Sequence, residues 1–235
     1  KALGLAIIGK EPIEEGINIL GAHIDSPRID LKQNPLYEDT DMALLKTHYY
    51  GGIKKYQWVA IPLSIRGVIV KEDGTTINVS IGEEDGMAFT ITDLLPHLAR
   101  DQMQKKMSEA IEGEGLNLLF GSIPYNDEKV KEKVKLNILS ILSEKYSIKE
   151  EDFVSSELEI VPSFKALDIG LDRGMVGAYG QDDRVCAYGA LKALIDTKSP
   201  DKTSVLFLSD KEEIGSMGNT GAQSAYFGNF VAEIC

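Results

Sequence analysis

Thr203-Ser-Val-Leu-Phe-Leu-Ser-Asp-Lys-Glu-Glu-Ile-Gly-Ser-Met-Gly218 runs from an apolar strand through a knot of charge into a Gly-rich segment. Val205 to Leu208 has the length of a buried strand and stops abruptly at Ser209, Asp210, Lys211, Glu212 and Glu213. Gly215, Gly218 and Gly221 follow, then a run of helical character. In an open α/β sheet, ligands bind where such strands end and the chain turns toward a helix. Two adjacent carboxylates there could divide a hydrolytic task, one holding a metal and the other moving a proton. With 37 acidic residues in the chain, a Glu-Glu pair also arises by chance, and an exposed loop is the ordinary alternative.

Composition narrows the function classes. A chain of 235 residues can bury a core, as one large domain or two smaller ones. The net charge of −12 argues against a nucleic-acid surface, which needs clustered Lys and Arg. No apolar run approaches the roughly 20 residues of a membrane span, so no membrane partner is expected. No signal peptide is visible, and Cys186 and Cys235 make no disulfide framework, which points to the cytoplasm. Asn78-Val-Ser80 fits a glycosylation sequon without other support.

Leu3 to Ile8 and Ile17 to Ala22 read as two strands, expected to pair antiparallel through residues 9–16. The second leads straight into His23-Ile-Asp25-Ser-Pro27, so His23 and Asp25 also sit at a strand end. Residues two apart on a strand share a side. Asp25 can therefore hold one imidazole nitrogen while the other binds a metal, although a polar loop explains the motif equally well. Four glycines in Gly170 to Gly180 precede Gln181-Asp182-Asp183-Arg184, then Val185 to Ile195 reads as helix. Taken alone, Asp182 reads first as an N-cap. The functional reading makes it a carboxylate that bridges two cations.

Between these motifs the texture changes. Tyr37 to Gly52 reads as loop; Trp58 to Val70 and Thr75 to Ile81 are β-rich and flank the hairpin signal Asp73-Gly74. After a short run at Phe89 to Ile91, Thr92 can cap a helix to about Glu112. Leu116 to Phe120 and Glu157 to Val161 read as strands. A helix from Asn126 or Asp127 to Tyr146 is expected to present Val130, Val134, Ile138 and Ile141 on one face. His48 and His97 are the only histidines of this block.

His23, Asp182 and Glu213 thus fall at strand ends or helix starts, places that can meet at one edge of a parallel sheet. A His with carboxylates and no Cys suits zinc, manganese or cobalt in a catalytic rather than a structural site.

The run Gly21-Ala-His-Ile-Asp-Ser-Pro27, then Gln181-Asp-Asp-Arg184, then Ser209-Asp-Lys-Glu-Glu-Ile-Gly215 resembles the ordered motifs of the M18 metallo-aminopeptidases, the aspartyl aminopeptidase family. Leu95-Pro-His-Leu-Ala99 extends the likeness into the middle block. The resemblance implies an α/β fold: a zinc-exopeptidase-like catalytic domain (1–35 and 165–235) with an inserted β-rich dimerisation domain (36–164). It implies two divalent metals, zinc first, with manganese or cobalt as alternatives. His23 would bind one metal, with Asp25 steering its ring. Asp182 would bridge both, with Asp183 after it across a cis peptide, and Glu213 would bind the second. Glu212 would be the general base for the two-metal-activated water, and His97 a substrate-binding residue acting in a neighbouring subunit's site.

The implied activity is removal of N-terminal residues from peptides, with self-association into dimers and a larger homo-oligomer. The family completes its site with an Asp and a His beyond the Glu-Glu pair. No His follows His97, so the chain is expected to be a fragment, inactive by itself. Two alternatives stand beside this reading: an incomplete assembly or interaction module of the same fold, and a related co-catalytic metallopeptidase acting on neutral N-terminal residues. A preference for acidic N-termini would need a local cation, because the overall charge repels them.

Overall fold

The apolar run ending at Ser209 is the central strand of a three-stranded sheet. The structure is a computed structural model, and it describes residues 2–83 and 86–235. In chain order the strands begin with β1 (Leu3–Ile7), β2 (Asn18–His23), β3 (Arg28–Asp39) and β4 (Met42–Tyr50). Then come β5 (Leu63–Val70), β6 (Thr76–Ile81), β7 (Leu118–Gly121) and β8 (Ser156–Pro162). The short pair β9 (Leu167–Ile169) and β10 (Met175–Gly177) precedes β11 (Ser204–Ser209). The helices are α1 (Met107–Ala110), α2 (Lys133–Tyr146), α3 (Gln181–Asp196) and α4 (Ala225–Ile234). Two compact units result, Lys1–Pro27 with Ala166–Cys235, and Arg28–Lys165.

In the first unit the sheet order is β1-β11-β2, antiparallel on the β1 side and parallel on the β2 side. The expected pairing of the two N-terminal strands is therefore wrong: β11 lies between them, with Leu206 opposite both Leu5 and Leu20. The residues before β11 hold both strands at that end. Gly9 N donates to Thr203 Oγ1 at 3.0 Å, and Asn18 N to the Thr203 carbonyl at 2.9 Å. A strand nearly 200 residues away in sequence wins over the local hairpin because it satisfies both inner edges at once.

Both faces of β11 are covered, which is why its sequence is continuously apolar rather than alternating. Leu206 and Leu208 pack with Ala187 and Leu194 of α3, joined by Leu5, Ile7, Ala22 and Ile24. On the other face the Phe207 ring lies 4.7 Å from that of Phe227 and 5.9 Å from that of Tyr226, both on α4. Val205 and Leu206 are wholly buried. Each such side chain contributes about 1.5–3 kcal/mol of burial, enough to keep the strand end that carries the site in place.

The second unit is a six-stranded antiparallel sheet in the order β6-β5-β8-β3-β4-β7. The Asp73-Gly74 hairpin forms as expected, with Gly74 at φ 84° and its N–H donating to the Lys71 carbonyl. The segment 37–52, expected as loop, is instead the β3–β4 hairpin. Its turn residues Thr40 and Asp41 both have positive φ, as a tight hairpin requires, but neither is a Gly. A register shift between Leu31 and Leu36 also breaks the alternation that would have revealed β3. Because β3 begins at Arg28 and Ile29 pairs with Ile160 of β8, residues 28–35 belong to this unit; the sequence placed them with the first.

Two helix expectations also change. The helix expected from Thr92 to Glu112 is replaced by turns, a 3-10 turn at Gln102–Gln104 and the four residues of α1. Leu94, Leu95, Leu98, Met103 and Met107 are all more than half exposed, so no apolar face is buried to sustain a longer helix. α2 starts at Lys133 rather than near 126, because Asp127 is engaged in a local turn, accepting from Lys129 N at 2.9 Å. Its buried face is Val134, Ile138 and Leu142, while Ile141 is exposed. Among the described residues no helix is long and apolar enough to cross a membrane.

Candidate metal centre

Because β2 and β11 run parallel, with His23 opposite Ser209, both chains leave the sheet at the same edge. That single register brings His23 beside the Asp210–Glu213 run. Asp25, only 6 % exposed, fastens the two together. Its Oδ1 accepts from Glu212 N at 3.1 Å and its Oδ2 from Glu213 N at 3.2 Å, so one carboxylate caps the 3-10 turn Glu212–Ile214. Farther on, Asp210 accepts from Thr220 Oγ1 at 2.8 Å, and its N–H donates to the Thr220 carbonyl at 3.2 Å. These bonds hold the loop that follows the glutamates.

The two ring nitrogens of His23 have different surroundings. Nδ1 lies 3.1 Å from the Asp25 carbonyl and 3.3 Å from Asp25 Oδ1. With Nδ1–H donating there, Nε2 is left as the lone-pair nitrogen. Nε2 faces Asp182 Oδ1 at 3.2 Å and Glu212 Oε2 at 3.6 Å.

Asp182 reaches this point because the start of α3 is not helical. Gly180 is left-handed at φ 77°, and Asp182 (φ −83°, ψ 112°) and Asp183 (φ −115°, ψ 23°) lie outside helical geometry, with a cis peptide between them. The simple N-cap reading of Asp182 gives way to a carboxylate laid against His23. Asp183 Oδ2 accepts from His23 N at 3.3 Å, and Ser26 Oγ donates to the Asp182 carbonyl at 3.4 Å.

One ligand atom from each of His23, Asp182 and Glu213 lies within 4.8 Å of the others. The electrostatics of the cluster favour a cation. Burial pushes the Glu213 carboxyl up from its usual range, and Asp182, Glu212 and Asp25 push it the same way, with His23 opposing. Burial works to lower the His23 pKa, but the charges of Asp25 and Glu212, together with the hydrogen bonds to the Asp25 carbonyl and to Asp182, hold it above its ordinary value. Four carboxylates around one imidazole repel one another unless positive charge sits among them. One nitrogen and carboxylate oxygens, with no thiolate, are donors that suit zinc, manganese or cobalt.

His23, Asp25, Asp182, Glu212 and Glu213 are thus brought together. His97 is not among them: it lies in the second unit on an exposed turn after Pro96, not in a helix. His48 is exposed on β4, with Nδ1 2.9 Å from the Tyr49 carbonyl. Sequence reasoning missed Ser26 and Tyr179, whose hydroxyls bond to backbone carbonyls and so leave no complementary residue type to find, and Thr220, whose hydroxyl bonds to the Asp210 carboxylate.

The profile of the family described as Aminopeptidase I zinc metalloprotease (M18) matches residues 2–235. The chain belongs to the M18 family. It is 62% identical over 235 residues to the probable M18 family aminopeptidase 1 of Clostridium acetobutylicum, covering all of this chain and 50% of that protein. The crystal structure of aminopeptidase I from Clostridium acetobutylicum superposes with a TM-score of 0.92 at 60% identity, over 100% of this chain and 52% of that one. The S. cerevisiae mApe1 dodecamer has a TM-score of 0.71 at 21% identity, over 98% of this chain and 52% of that one, a likeness of fold alone. The chain spans about half the length of the curated M18 relatives it matches.

Proposed function

We propose that the full-length protein is a metal-dependent aminopeptidase that removes N-terminal residues from peptides. The observation that carries this reading is the meeting of His23, Asp182 and Glu213 with Glu212 beside them. His23 and Asp182 would hold one divalent cation, Asp182 and Glu213 a second, zinc in the first instance. Such cations polarise a scissile carbonyl and bring the pKa of an attacking water toward neutrality. Asp25 orients His23 through Nδ1 and fixes the backbone of both glutamates. The side chain of Glu212 stays half exposed and is the group placed to take the proton from water and return it to the leaving amine.

Metal removal tests the reading. Chelation of the full-length protein should abolish hydrolysis of leucyl and aspartyl substrates alike, and zinc, manganese or cobalt should restore it. Unchanged turnover in metal-free protein would end the proposal. The relative rates on the two substrates identify the N-terminal residue preferred, neutral or acidic.

We further propose that the unit 28–165 carries the subunit contacts of a homo-oligomer. Leu94, Leu95, Leu98, Met103 and Met107, each exposed within a short stretch of sequence, support this, since exposed apolar side chains commonly mark an interface. The S. cerevisiae mApe1 of the same fold is a dodecamer, which accords with self-association but does not bear on which unit carries the contacts. His97 lies in the same segment and is proposed as a substrate-binding residue for a neighbouring subunit's site. Light scattering on the full-length protein should give a dimer or larger particle; a monomer at micromolar concentration would refute the assembly.

A further inference from the structure

We infer that Tyr179 is a positioning residue whose hydroxyl sets the spacing between the segment that carries His23 and the segment that carries Asp182. This rests on the ligand assignment proposed above and goes one step behind it. The two segments are more than 150 residues apart in sequence; Ala22 and Ile24 pack against α3, and beside that apolar contact hydrogen bonds tie the segments at the site itself. The His23 N–Asp183 bond is 3.3 Å long and the Ser26–Asp182 bond 3.4 Å, both near the limit of useful length. The Tyr179 hydroxyl donates to the Pro27 carbonyl at 2.7 Å, the ordinary distance for a good O–H···O bond. Pro27 has no N–H of its own to anchor it, so its carbonyl is the handle available at that point.

The surroundings of Tyr179 support a fixed ring rather than a passing contact. Tyr179 is partly buried, and the Arg184 guanidinium of α3 lies 5.9 Å from its ring centroid. Gly180 between them makes the close approach feasible. A Cβ there would come 2.9 Å from Ser26 Oγ and 3.1 Å from Arg184 Cζ, and φ +77° disfavours any L side chain. Tyr179 is therefore held from both sides: its ring by α3, its hydroxyl by the chain that leaves His23. Loss of the hydroxyl should let Asp182 drift from Nε2, which it faces at 3.2 Å.

The decisive variant is Tyr179→Phe in the full-length protein, which keeps the ring and removes only the donor. Zinc affinity, measured by competition with a chelator on the metal-free protein, should fall about 3- to 10-fold, the scale of one neutral hydrogen bond. kcat should fall with it at saturating zinc, while KM changes little. A merely structural role would lower the urea midpoint of the metal-free protein and leave zinc affinity where it was, and that outcome overturns the inference. Should Tyr179→Phe fail to fold, Tyr179→Trp, which also lacks the hydroxyl but keeps an aromatic ring, decides by the same affinity measurement. His23→Ala and Glu213→Gln are run alongside. If neither weakens zinc binding, the ligand assignment fails; if both do and Tyr179→Phe does not, only the positioning role fails.

Discussion

Glu212→Gln in the full-length protein is expected to lower kcat by about 100-fold or more while zinc content stays at the parental level. Gln is nearly isosteric with Glu but cannot accept the proton. The contacts that place residue 212 are made by its backbone, since Asp25 Oδ1 takes the Glu212 N–H at 3.1 Å, and the substitution leaves that bond intact. The carboxylate of Glu212 is not needed for the three-ligand cluster, so metal should remain. Stability should not suffer either, because one of four converging carboxylates has become neutral. Glu213→Gln makes the contrast: it removes a ligand atom and should cost metal along with turnover. Near-normal kcat in a folded Glu212→Gln protein would remove Glu212 from the mechanism.

What the sequence revealed of the fold followed the range of each interaction. The strand at Val205–Leu208, the Asp73-Gly74 hairpin and the helices that became α3 and α4 are set by local pattern, and each is where the residues indicate. The β1-β11-β2 order was not legible, because pairing between strands far apart leaves no mark in either one. β3 and β4 were hidden by their own irregularity, a register shift beside Pro35 and a turn built from Thr40 and Asp41. The helix expected at 92–112 shows the opposite error: a good cap and helix formers cannot hold a helix whose apolar side chains find no partner.

For the site, residue type and position at strand ends pointed to His23, Asp25, Glu212 and Glu213, and position at a helix start to Asp182. The resemblance to a known family, rather than spacing, assigned their separate roles. Geometry then added what neither could supply. The Asp25 carboxylate divides its two oxygens between the N–H groups of the two glutamates, so its grip on His23 and on the Glu-Glu turn is one connected device. No periodicity argument reaches that far, because the partner atoms are main-chain.

The second large effect concerns the 235-residue polypeptide taken alone. The cluster within it offers three ligand side chains, and with Asp182 shared, each of two cations would keep two protein ligands. Stable catalytic zinc generally has three protein ligands besides water. Vacant, the cluster works against itself. Two carboxylate charges within 4.8 Å of each other repel by at least roughly 1 kcal/mol in bulk water and roughly 3.5 kcal/mol at an effective dielectric of ~20. The exposed side chain of Asp182 lies toward the weaker end of that range and can relieve the strain by swinging outward. Binding must then reorder it with too few donors in return. After dialysis the polypeptide should hold less than one metal per chain and show no aminopeptidase activity, whereas the full-length protein prepared in the same way retains both. Metal analysis beside an aminopeptidase assay on the two proteins decides the matter. Two tightly held metals with full activity in the 235-residue chain would mean that His23, Asp182 and Glu213 are not the ligand set.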